Sequence, residues 1–85
     1  RDKNTSMIEY YSVENTGWSG GISWFRIGGN STNPLRFKNK QDALEYAIER
    51  KNVLNQDTTL WRIVHTTIHR EDNKETIIRE WEQVL

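Results

Sequence analysis

Apolar positions recur at two different periods along this chain, and the switch between them outlines a fold. Over residues 7–13 the period is two: Ile8 and Tyr10 fall on one side, Met7, Tyr11 and Val13 on the other. Richness in Ile, Tyr and Val makes that segment a predicted strand. Asn15-Thr16-Gly17 and Ser19-Gly20-Gly21 follow as turn chemistry, because glycine accepts positive φ and asparagine tolerates the left-handed region. A second strand is expected over 22–27, closed by Gly28-Gly29-Asn30 and paired with the first as an antiparallel hairpin. Pro34 disfavours helix just before it, so residues 30–35 read as a polar loop.

The period then changes to that of a helix. Asn39 is a predicted N-cap, with Asp42 three residues on in the place of the capping-box acid. Ala43, Leu44, Ala47, Ile48 and Leu54 share one stripe, while Glu45, Glu49, Arg50 and Lys51 take the other side. The helix should end near 52–56. Residues 58–69, with Trp61, Ile63, Val64 and Ile68, return to a long β-branched and aromatic strand. After it two patterns compete. Ile77, Ile78, Trp81, Val84 and Leu85 fit a helical face, whereas a turn at Asp72-Asn73-Lys74 makes 76–81 a fourth strand; the flanking β-branched runs favour the strand. The expected architecture is α+β: an antiparallel sheet of about four strands in the order β-β-α-β-β, with one amphipathic helix on one face.

Eighty-five residues allow one domain with a thin core, here placed at 7–85. Arg1 to Ser6 are polar and aperiodic, so they are expected to be a disordered tail or an expression remnant ahead of a native start at Met7. The absence of cysteine removes disulfides, zinc-thiolate sites and cysteine nucleophiles. No apolar run approaches the roughly 20 residues of a membrane span, which leads to an expectation of a cytoplasmic protein without membrane contact. Twelve Lys and Arg balance twelve Asp and Glu, and this neutral total argues against a general polyanion binder or a DNA mimic. The distribution is less even: Arg26, Arg36, Lys38 and Lys40 occur without an acid over 26–40, and the last fifteen residues are acidic.

Little in the sequence is suited to covalent or metal chemistry. His65 and His69 share a strand face roughly 13 Å apart, too far to chelate one ion, and no metal or cofactor is expected. Gly17-Trp18-Ser19-Gly20-Gly21 lacks the strand and helix context of a phosphate cradle. An acid–base set for a small ribonuclease-like toxin exists on paper in His65, Arg62 and Glu80, provided the two C-terminal segments pair. The aromatic content carries more weight. Strand alternation splits Tyr10 from Tyr11 and Trp24 from Phe25, sending one ring of each pair to the helix side and one away. Trp61 and Phe37 are assigned to the core. Trp18 at a loop tip and Trp24 on an open face are candidate anchors for a protein partner, together with Arg26, Arg36, Lys38 and Lys40.

Two resemblances bear on function. Trp24-Phe25-Arg26-Ile27, then Arg36-Phe37-Lys38 and a capped helix bearing Ala43 and Tyr46, resemble small DNA-binding sheet domains such as the arm-binding domains of phage-type integrases. That likeness implies a nucleic-acid-binding accessory domain in which the 26–40 segment tracks phosphates while a ring stacks on a base. More broadly, 37–43 leading the helix and Trp61-Arg62-Ile63-Val64 opening the late hairpin resemble small accessory proteins of tailed bacteriophages and other mobile elements. This second likeness implies a non-enzymatic protein-binding module, an inhibitor or adaptor acting on a host or defence protein. A protein partner is the first expectation, nucleic acid the second and the ribonuclease the third. Homodimerisation through a free sheet edge is a rival mode of the first.

Overall fold

Period-two alternation runs further along the chain than its apolar content suggests. The structure is a computed structural model that describes residues 5–17, 23–54 and 58–84. Strand β1 spans Thr5–Asn15, β2 Phe25–Ile27, helix α1 Lys40–Leu54, β3 Trp61–Glu71 and β4 Lys74–Val84. The four strands form one antiparallel sheet in the spatial order β2-β1-β3-β4, so the α+β class and the β-β-α-β-β succession hold. Consecutive strands are not all neighbours, because β3 returns from the helix to lie beside β1. No described helix is long and apolar enough to cross a membrane.

Several boundaries differ from expectation for physical reasons. Thr5 and Ser6, set aside with the tail, belong to β1 because Glu71 and Arg70 of β3 lie opposite them and extend the ladder. Strand β2 is only three residues, pairing Asn15, Glu14 and Val13 with Phe25, Arg26 and Ile27. Strand β3 starts at Trp61, and the residues before it tie back to the first turn. Leu60 N–H donates to Thr16 Oγ1 at 3.0 Å, and the Thr59 hydroxyl donates to the Gly17 carbonyl at 2.8 Å. The C-terminal segment is strand over Lys74–Val84. A two-residue turn at Asp72-Asn73 reverses the chain, Asp72 taking a φ of 55°, and β3 then offers β4 eleven residues of partner.

The helix covers one face at one end. It starts on Asn39, whose Oδ1 accepts the Asp42 N–H at 2.9 Å. Val13, Trp61, Ile63 and Val84 meet Ala43 and Ala47 of α1 in the core, with Tyr11, Phe37, Leu44 and Tyr46 packed around them. Trp61 and Phe37 therefore take the packing roles expected of them. Ile48 and Leu54 do not: both lie exposed. At roughly 100° per residue, Ile48 sits about a third of a turn from the Ala43–Ala47 line, and Leu54 closes the last turn of the helix. The alanines allow close approach to the sheet, and this narrows the buried stripe to their own width.

Beyond the helix the sheet continues alone. The first five residues of β1 are exposed and its last four buried, while β4 is exposed everywhere except Val84. Eleven-residue strands reach about 36 Å at ~3.3 Å per residue, consistent with a molecule 52 Å long and 25 Å wide. The distal halves of β1, β3 and β4 thus form a three-stranded arm solvated on both faces.

Candidate binding face

Strand register sorts the charges of this neutral chain by face. Glu14 pairs with Arg26 on one side and Arg62 on the other, which puts all three on the face away from the helix. Following the same parity, Arg62, Arg70 and Arg79 stand on that open face with Arg26, against Glu14 and Glu75. The helix side of the strands holds Glu9, Glu71, Glu80 and Glu82 against Lys74. One face is arginine-rich and the other acidic.

At the centre of the open face, Glu14 is buried and accepts two guanidinium groups. Arg62 Nε donates to Oε1 at 2.8 Å and Arg79 Nη2 to Oε2 at 2.9 Å. Arg62 also lies over the Trp24 ring, 4.1 Å from its centroid, and 5.0 Å from that of Trp81. Next to this network Arg36 and Arg26 converge on one ring, 4.3 and 5.3 Å from the centroid of Tyr10. The cause is local. Phe37 bridges the outer edge of β1 by two reciprocal backbone bonds with Tyr11, each 2.8 Å. Its ring turns inward onto Tyr46, 5.5 Å between centroids, so Arg36, one residue earlier, is sent outward. Arg26 is held by donating to the Leu35 carbonyl at 2.9 Å. Among the described residues no carboxylate pairs with either Arg26 or Arg36.

Among the described residues no helix covers this face, yet Ser12, Val64 and Thr66 on it are buried. Long amphipathic side chains such as the arginines of this face can shield a sheet surface in this way. Trp81, at the β4 margin, stays 66% exposed even with Arg62 over its ring.

The site residues expected from sequence divide three ways. Trp24, Arg26 and Arg36 gather on the open face. Lys38 is exposed in the bend before α1, and Lys40 lies on the opposite face in an ion pair with Glu82. Trp18 lies outside the described residues. Tyr10 joins the face as the outward ring of its pair, and Glu14, Arg62, Arg79 and Trp81 join it without having been expected there. Their signal is the alternation in Arg79-Glu80-Trp81 and Trp61-Arg62, legible only once β3 and β4 are in register. The expected splitting of paired aromatics holds for the tyrosines: Tyr11 packs with the core and Tyr10 faces outward. Trp24 turns to Arg62, while Phe25, opposite Asn15 on the other parity, is half exposed.

The same parity divides the ribonuclease set. The late segments do pair and His65 faces Glu80 directly, but Arg62 projects to the other face, bound to Glu14. His65 stacks on Tyr11 at 4.4 Å and 11°, its Nε2 lying 3.4 Å from Glu9 Oε2 without the alignment of a hydrogen bond. It borders an open groove of about 320 Å³ between the helix N-terminus and β4, lined also by Lys40, Ile63, Glu80 and Glu82. Comparison with family models, with curated proteins and with solved structures finds no match to this chain.

Proposed function

We propose that this chain is a non-enzymatic binding module whose open sheet face takes a single-stranded nucleic acid. The observation that carries the proposal is the convergence of Arg26 and Arg36 on the Tyr10 ring with no carboxylate paired to them among the described residues. Two like charges held together leave donors that a phosphate satisfies with charge-assisted hydrogen bonds. The neutral total favoured a protein partner, but charge sorted by face removes that ground, because a strand of phosphates meets only one face. Exposed Trp81 supplies a stacking platform for a base. Width argues for a single strand. Four strands about 4.8 Å apart span roughly 14 Å before side chains, too broad for a major groove of about 12 Å.

Fluorescence anisotropy with labelled single-stranded DNA, single-stranded RNA and duplex oligonucleotides tests this directly. Contacts from Arg26 and Arg36 give a log–log salt slope of about −1.4, from roughly −0.7 per phosphate. Arg36→Glu should abolish binding at moderate salt, and Trp81→Ala should weaken it by about 1–3 kcal/mol per stacked base. Both should retain the far-UV CD spectrum. Binding by Arg36→Glu equal to the parent, or none by the parent at low salt, overturns the reading. In that case a partner retained from lysate after nuclease treatment would point to the inhibitor or adaptor role that the phage resemblance implies.

A further inference from the structure

Strand β4 closes the sheet on one side, and among the described residues no strand lies beside any part of its outer edge. Its arm portion carries Ile77 and Ile78, each more than half exposed. Edges of this kind are templates for pairing with another chain. We infer that this edge pairs antiparallel with the same edge of a second copy, about a two-fold axis at Ile77.

The register follows from geometry and charge. Opposed residues of a two-fold antiparallel pair must share a sheet face, so the axis passes through a residue and not between two. An axis at Ile77 opposes Lys74 with Glu80, Glu75 with Arg79, Thr76 with Ile78, and Ile77 with its own copy. The two charged pairs occur twice by symmetry, and all are of opposite sign. Shifting the axis to Ile78 sets Glu75 against Trp81 and Ile77 against Arg79. Shifting it to Arg79 opposes that arginine with itself, and a shift to Thr76 sets Lys74 and Glu75 against isoleucines. Only the Ile77 register matches every charge.

The interior of the arm agrees with this choice. Ile8, Ile68 and Ile77 already lie side by side across three strands on the open face. In the dimer that row meets its copy, and six isoleucines run continuously across the joined arms. Glu75 keeps its bond from Arg70 Nε, 2.6 Å, and gains Arg79 of the second copy. The Arg79 guanidinium has five donors, enough for Glu14 and the new partner together. Pairing stops at Lys74 because the chain turns at Asp72-Asn73, so Trp81 to Val84 and the helix end remain outside the contact. The pairing closes on itself as a dimer. The free edge of β1 over 5–10 carries Glu9 as its single charge and has no self-matching register.

Sedimentation velocity on the full chain, from about 1 μM to about 1 mM, should show a monomer–dimer equilibrium. Lys74→Glu opposes glutamate with glutamate twice and should weaken association about tenfold. The double variant Lys74→Glu with Glu80→Lys restores it. Both positions lie on the helix side of the sheet, so oligonucleotide binding by the open face is undisturbed. The chain has no cysteine, which gives a second measurement independent of those variants. Ile77→Cys should form a disulfide-linked dimer on mild oxidation, and Gln83→Cys, on the same face and edge, should not. A monomer at every concentration, a dimer indifferent to Lys74→Glu, or cross-linking no better at 77 than at 83 overturns the inference.

Discussion

Glu14 holds its carboxylate where only 9% of the side chain meets water, receiving Arg62, 16% exposed, and Arg79, 50% exposed. Glu14→Ala leaves Arg62 largely buried, with ring contacts to Trp24 and Trp81 but no counter-charge. Removing one partner of a buried pair costs about 3–5 kcal/mol. The stacked rings keep Arg62 partly satisfied, so the low end, about 3 kcal/mol, applies to that half of the network. The Arg79 contact is half solvated and adds at most about 0.5 kcal/mol. For a domain of this size, 1 kcal/mol moves Tm by roughly 4–8 °C, so Glu14→Ala should melt about 12–24 °C below the parent. Urea denaturation followed by CD measures the same loss at 25 °C. Arg79→Ala should cost less than about 1 kcal/mol. A double-mutant cycle of Glu14→Ala with Arg62→Ala should return a coupling of about 1.5–3 kcal/mol. If Glu14→Ala is no worse than Arg79→Ala, or the coupling vanishes, Glu14 does not organise this face.

Two further substitutions probe the frame that carries the site. Asn39→Ala removes the acceptor of the Asp42 N–H and should cost about 1 kcal/mol by thermal melting, with no change in oligonucleotide affinity. Gly29 has a φ of +71°, and a Cβ there would meet Leu35 N at 2.6 Å and Pro34 Cα at 2.8 Å. Gly29→Ala should therefore destabilise by about 2 kcal/mol. It should also weaken oligonucleotide binding, because the same loop leads into Arg36; an unchanged affinity would separate the loop from the face.

Much of the fold was legible because its local signals agree with its global form. The Asn39 cap, the Ala43–Ala47 spacing, the turn at Asp72-Asn73 and the β-branched runs on either side of it all describe the same elements. Thr5 and Ser6 were not legible as strand, since nothing apolar marks them and only Glu71 and Arg70 opposite supply the pairing. The exposure of Ile48 was hidden for a related reason: a helical stripe shows which residues share a side, but the partner surface decides how wide the buried side is.

The candidate face divides along the same line. Composition and alternation within single strands are chain properties, and from them followed the absence of thiol chemistry, the neutral charge and the separation of Tyr10 from Tyr11. The meeting of Arg26 and Arg36 over Tyr10, and of Arg62 and Arg79 on Glu14, depends on which strands are neighbours and in what register. A shift of one residue would send Arg26, Arg62 or Arg79 to the other face. Register is fixed by the burial of Val13, Trp61 and Ile63 against two alanines. Packing on the helix side, a tertiary event, thereby decided that the strand arginines Arg26, Arg62, Arg70 and Arg79 of a neutral chain share one face.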